Sequence, residues 1–115
     1  MTVQGETSPG HNLDFSIILW TQFESTRQES VLAEYIALLE RTYRTLTERG
    51  DPSGFLAACA CNLATGLSTR NTVNPNPGDR SRARVLWEEA AASGLLDEEQ
   101  RGGVLANLAK ALSHA

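Results

Sequence analysis

Asn107-Leu108-Ala109-Lys110-Ala111-Leu112-Ser113 is a near copy of Asn62-Leu63-Ala64-Thr65-Gly66-Leu67-Ser68, 45 residues upstream, with five of seven residues identical. The later copy closes the stretch Asp79 to Ala115, which reads as a helix, a short turn and a second helix. The first of those helices carries Ala83, Trp87 and Ala90 on one face. Small and large apolar residues alternating at helical spacing, repeated downstream, predict stacked helical hairpins. The expected fold is therefore all-α, with about five helices in antiparallel hairpins.

Outward from the repeat, the other helices can be placed. Residues 29–49 carry Val31, Leu32, Tyr35, Ile36, Leu38, Leu39, Tyr43 and Leu46 at spacings of three and four, with charges between them. Ser30 is a candidate cap, and Gln28 or Glu29 an alternative opening. Gly50 and Pro52 stop that helix. Ser53 can cap the next, which runs to about Thr69 and is rich in small residues. Arg70 to Gly78, with Asn74-Pro75 and Asn76-Pro77, reads as a loop. Asp79 or Ser81 opens the following helix, and Gly94 closes it. Asp97 caps the last helix, with Glu98, Glu99 and Gln100 in its first turn. Val104, Leu105, Leu108, Ala109 and Leu112 are its expected buried stripe, and Gly102-Gly103 a weak spot.

Residues 13–26 fit two patterns. Phe15, Ile18, Leu19 and Phe23 make a helical stripe; Phe15, Ile17, Leu19 and Phe23 make a strand face. No second strand candidate exists to pair with them, so helix is the reading, with Asp14 as its cap. Residues 1–12 are polar and carry Gly5, Pro9 and Gly10, as a flexible tail does. The organisation expected is a tail over 1–12 and a single domain over 13–115.

The chain has 115 residues, enough for one core. Its formal charge of −4 is uneven: residues 1–69 hold four basic against eight acidic side chains, and residues 70–115 hold six against six. Such a balance argues against a general nucleic-acid binder. No apolar run approaches the roughly 18 residues that span a bilayer, and the first residues lack a leader's basic and apolar regions. Cys59 and Cys61 fall two apart on one helix and cannot pair with each other. A reduced, cytoplasmic protein is the expectation.

The helical motifs resemble the tetratricopeptide repeat, a helix pair of 34 residues. In that family the first helix carries a Leu-small pair with a large apolar residue three further on. Leu63-Ala64 with Leu67 fits, as does Leu108-Ala109 with Leu112. The second helix carries Ala, a large residue four later and Ala three after that, as do Ala83, Trp87 and Ala90. The resemblance covers residues 53–113. The period here is 45, with the extra residues in the Asn/Pro loop and around Leu95 to Glu98. Gly94 stands where the family has a terminating Pro, and residues 13–49 hold no clean copy. The segment also looks like repeat regions of large actinobacterial signalling proteins.

The resemblance implies a concave surface lined by the first helix of each pair. There an Asn directly before the Leu-small pair hydrogen-bonds a bound peptide backbone. Asn62 and Asn107 occupy that place. Helical spacing extends them to Asn62, Thr65 and Thr69 on one helix and Asn107, Lys110 and His114 on the other. A second candidate is the local excess of Arg70, Arg80, Arg82 and Arg84, which could hold an anion.

No Cys-x2-Cys, His-x3-His, Gly-x-Ser-x-Gly or phosphate-loop pattern occurs, so neither a catalytic centre nor a cofactor or metal is expected. The reading is a scaffold that binds a protein, a peptide or a partner helix, and a homo-oligomer is left open. The alternative is a small regulatory subunit that binds nucleic acid or a phosphorylated ligand through Arg70 to Arg84.

Overall fold

The computed structural model describes the backbone of residues 9–50 and 55–113, and side chains 10–50 and 55–110 within them. These residues form five helices and no strand: α1 (Pro9–Thr26), α2 (Glu29–Arg49), α3 (Phe55–Val73), α4 (Pro77–Ala92) and α5 (Glu98–Ser113). Each helix packs on the next in sequence, and α1 also reaches α3. The short connections make neighbours run antiparallel. The result is a stack with extents of 50 × 34 × 24 Å.

The ends of the helices show why the chain folds this way locally. Gly50 closes α2 in the left-handed conformation (φ 63°), its N–H reaching the carbonyls of Leu46 and Thr47. α2 opens at Glu29, so Ser30 lies inside it, and Gln28 makes no side-chain cap. Arg27 ends α1, also left-handed (φ 57°). Its N–H donates to the Phe23 carbonyl at 2.6 Å, and its guanidinium lies 5.5 Å from the Phe23 ring centre. Asp97 caps α5 as expected: its Oδ1 accepts the Gln100 N–H at 2.7 Å, and Gln100 Oε1 accepts the Asp97 N–H at 3.1 Å. That reciprocal pair satisfies two otherwise orphaned donors.

Three boundaries differ from expectation. α1 begins at Pro9, so residues 9–12 are helical rather than tail. Asn12 ties this first turn to α2 by donating from Nδ2 to Thr42 Oγ1 at 3.1 Å. Asp14 is consequently inside the helix and caps nothing. α3 continues past Thr69 to Val73, placing Arg70 and Asn71 on a helix and not in a loop. α4 opens at Pro77, with Asn76 as its cap accepting from the N–H groups of Gly78 and Asp79; Pro at the first helical position loses no bond. Ser53 and residues 1–8 lie outside the described residues.

The core runs through all five helices. Leu32, Leu39, Leu46, Leu63 and Leu67 are each 1% exposed or less. Trp87 is buried, while Trp20 is half-buried, its ring centre 5.1 Å from that of Tyr35 and 5.7 Å from that of Phe23. At Gly66 the helices α2 and α3 approach closely. A Cβ there would sit 2.8 Å from the Tyr35 ring and 3.1 Å from Ile36 Cγ1.

Two stripes are rotated or diluted relative to the sequence reading. On α1 the buried face is Leu13, Ser16, Leu19 and Phe23, and Phe15 and Ile18 are exposed. Ser16 can be buried because its hydroxyl donates to the Leu13 carbonyl, and its small side chain leaves room for a neighbour. Among the described side chains of α5 only Val104 is fully buried. Leu108 packs partly against the core, and Leu105 and Ala109 are exposed. Among the described residues α5 packs chiefly against α4. The side chain of Leu112 lies outside the described residues.

Candidate functional site

The four arginines meet different fates. Arg70, near the end of α3, grips Asp79 in the first turn of α4 through two parallel bonds, Nε–Oδ2 at 2.7 Å and Nη2–Oδ1 at 2.8 Å. That guanidinium holds the largely buried Asp79 carboxyl below its ordinary range. Arg82 reaches back to α2 and clasps Glu40 at 2.8 and 3.2 Å, with its guanidinium 5.8 Å from the Tyr43 ring centre. Arg84 pairs with Glu88 one turn on, at 3.5 Å. Arg70, Arg82 and Arg84 therefore serve as clamps, and the local excess of positive charge is divided among ion pairs. Among the described residues Arg80 pairs with no carboxylate.

Arg80 instead lines a cavity of about 360 Å³ at the junction of α3, α4 and α5. Ser68, Asn71 and Thr72 line it from α3, Ala83 and Trp87 from α4, and Asn107 and Lys110 from α5. One wall thus comes from the arginine cluster and another from the amide stripe. Among the described residues no carboxylate lines the cavity. Asn71 is oriented by its own loop: its Oδ1 accepts the Asn76 N–H at 2.7 Å, which leaves its NH₂ as the uncommitted end. Thr72 gives its hydroxyl proton to the Ser68 carbonyl. Trp87 is 5% exposed, and its Nε1 has no hydrogen-bond partner among the described residues. Buried indole N–H groups ordinarily find one.

The upstream stripe lies elsewhere. Asn62 and Thr65 line a second, smaller cavity of about 150 Å³ with Ser16, Ile17, Trp20 and Tyr35. Tyr35 donates its hydroxyl to the Asn62 carbonyl at 3.0 Å. Thr65 and Thr69 spend their hydroxyl protons on carbonyls one turn back, those of Cys61 and Thr65. Thr69 lines neither cavity. The two amides expected to act together thus open on different cavities. His114 lies outside the described residues.

Sequence reading missed Ser68, Asn71 and Thr72. The signal that could have found them is Asn76-Pro77, a helix cap followed by Pro at the first helical position. Reading that pair as a start, not as loop, shortens the loop and lets α3 run on through Asn71.

Elsewhere two cysteines and a tyrosine are shifted by burial. Both cysteines are free thiols. Burial pushes Cys59 up to about 12, and its Sγ lies 3.4 Å from the Leu39 carbonyl. Burial raises Cys61 as well. Neutral thiols of this kind are poor nucleophiles and poor metal ligands. Tyr43 is raised to about 12 by burial and by its hydrogen bond to Glu89. Among the described residues no three His, Cys, Asp or Glu side chains cluster as metal ligands, and no helix is long and apolar enough to cross a membrane.

No protein-family model, no curated protein and no solved structure matches the chain.

Proposed function

We propose that this chain is a protein-interaction module that docks a peptide along the α3–α5 side of its helical stack. The observation that carries the reading is the cavity shared by three helices. It presents two side-chain amides, two hydroxyls and two basic side chains beside Trp87. Side-chain amides offer donors and an acceptor together, which suits the alternating groups of a peptide backbone. The frame beneath is fixed by the buried leucines of α3 and by the Arg70–Asp79 clamp between α3 and α4. The order of packing, with each helix on the next and α1 reaching α3, supports a stack of helical hairpins. The unpaired thiols fit a reducing, cytoplasmic setting.

Peptides selected from a display library on the folded chain test this. Mapped by amide chemical shifts, they are expected to perturb residues 68–72 and 107–110. Asn107→Ala should weaken them about 2- to 12-fold, one hydrogen bond's worth, and Asn62→Ala should weaken them less. A library that yields no binder, or binders that map to the outer face of α1, would overturn the reading.

A further inference from the structure

We infer that the cavity between α1, α2 and α3 takes one apolar side chain of the docked peptide, of leucine or phenylalanine size, and so anchors its other end. This rests on the peptide-docking reading and goes beyond it by naming a second subsite and the side-chain chemistry that it selects.

Ser16, Ile17 and Trp20 of α1, Tyr35 of α2, and Asn62 and Thr65 of α3 line this cavity of about 150 Å³. Ser16, Thr65 and Tyr35 carry hydroxyls, and each has already given its proton to a backbone carbonyl: those of Leu13, Cys61 and Asn62 respectively. An acceptor-rich guest would find none of these donors, and burying a polar group without a partner is unfavourable. The other walls are apolar. Trp20 and Tyr35 meet with ring centres 5.1 Å apart and planes tilted by 46°. Ile17 is 60% exposed, and a guest in the cavity would cover it. Among the described residues no charged side chain lines the cavity. A volume of about 150 Å³ between apolar walls is enough to hold a benzene ring, so it suits one branched or aromatic side chain. Asn62 adds an amide that can bond the peptide backbone beside that anchor. Position links this cavity to the one at α3, α4 and α5. Asn62 and Thr65 precede Ser68, Asn71 and Thr72 on α3 by about seven residues, roughly 10 Å of helix axis. An extended peptide of about six residues spans roughly 20 Å and reaches both.

The probes are N-acetyl-leucine amide and N-acetyl-phenylalanine amide, titrated into the ¹⁵N-labelled chain beside N-acetyl-serine amide and N-acetyl-lysine amide. Saturable shifts of the Trp20 Nε1–H and of the Asn62 side-chain amide, with the Trp87 Nε1–H unmoved, are expected for the two apolar probes alone. In the tightest peptide from the display library, one apolar residue changed to Ala should weaken binding about tenfold or more, as lost methylenes do in an apolar pocket. That change should also abolish the Trp20 shift while the shifts at residues 107–110 persist. Ile17→Gln should weaken the unchanged peptide about tenfold by removing an apolar wall. Ile17 is exposed, so this variant should melt with the parent chain. No saturable shift from either apolar probe, equal shifts from the serine or lysine probe, or unchanged affinity in Ile17→Gln would overturn the inference. A library peptide that loses no affinity at any apolar position overturns it too, and leaves peptide docking at α3–α5 standing. Saturation by the leucine probe with no peptide selected supports the apolar subsite and removes the peptide reading.

Discussion

The same seven-residue motif, with two substitutions, lies in the middle of α3 and at the end of α5, and the two copies live in different environments. In α3, Leu63 and Ala64 are 0% exposed and Leu67 is 1% exposed. In α5, Leu108 is half-buried and Ala109 is exposed. Identical residues at identical spacing give the same helix, but burial depends on what lies alongside. Among the described residues α3 is packed by α2 and α4 and touched by α1, whereas α5 packs chiefly on α4. The difference also separates roles. The α3 copy builds the frame, and the α5 copy turns Asn107 and Lys110 toward a cavity.

Truncating the equivalent leucines breaks the comparison most sharply. Leu63→Ala should cost about 2–5 kcal/mol, the range for emptying a buried leucine site. Leu108→Ala, at a half-covered site that can relax, should cost well under half of that. Equal losses in chemical denaturation would mean that α5 is as deeply packed as α3. Next in size is Gly66→Ala. The added methyl meets the Tyr35 ring and Ile36, and overpacking of this kind costs about 1–3 kcal/mol. A melting temperature at or above the parent's would mean that α2 and α3 separate easily.

Smaller again is the clamp between α3 and α4. Arg70 holds Asp79 below the ordinary carboxylate range, so the pair's contribution is complete above about pH 4. It is lost as pH falls through the lower folded-state value. Asp79→Asn should therefore cost about 1–2 kcal/mol at pH 7, with parent and variant converging in acid. A constant gap down to pH 2 would contradict the ion pair. The smallest effect has the opposite sign. A Cβ at Gly103 meets open space, so Gly103→Ala should stabilise α5 by about 0.5–1 kcal/mol through helix propensity alone. Calorimetry showing a loss would reveal a partner for that face.

Much of the architecture could be read from the sequence, because the relevant signals are local. The stripe of α2, the stop at Gly50 and the cap at Asp97 each depend on residues within a turn or two. The faces of α1 and α5 could not be read the same way. Phe15 and Ile18 are as apolar as Leu19 and Phe23, and only the position of α2 decides which pair is covered. The site was half legible for the same reason. Asn107, Lys110 and Arg80 were identified by type, but their convergence depends on how α3, α4 and α5 pack. Arg82 was removed from the anion group by Glu40, 42 residues away in sequence, a pairing that no local pattern announces.

Amide hydrogen exchange decides directly whether neighbours, and not sequence, separate core from working surface in the two copies. Under native conditions residues 62–68 should exchange only with global unfolding, and residues 107–113 through local opening of α5. The difference should be at least roughly a hundredfold in protection, as between local and global opening. Equal protection across the two copies would contradict it, because α5 would then be as firmly held as α3 and its copy could not serve as an open binding face.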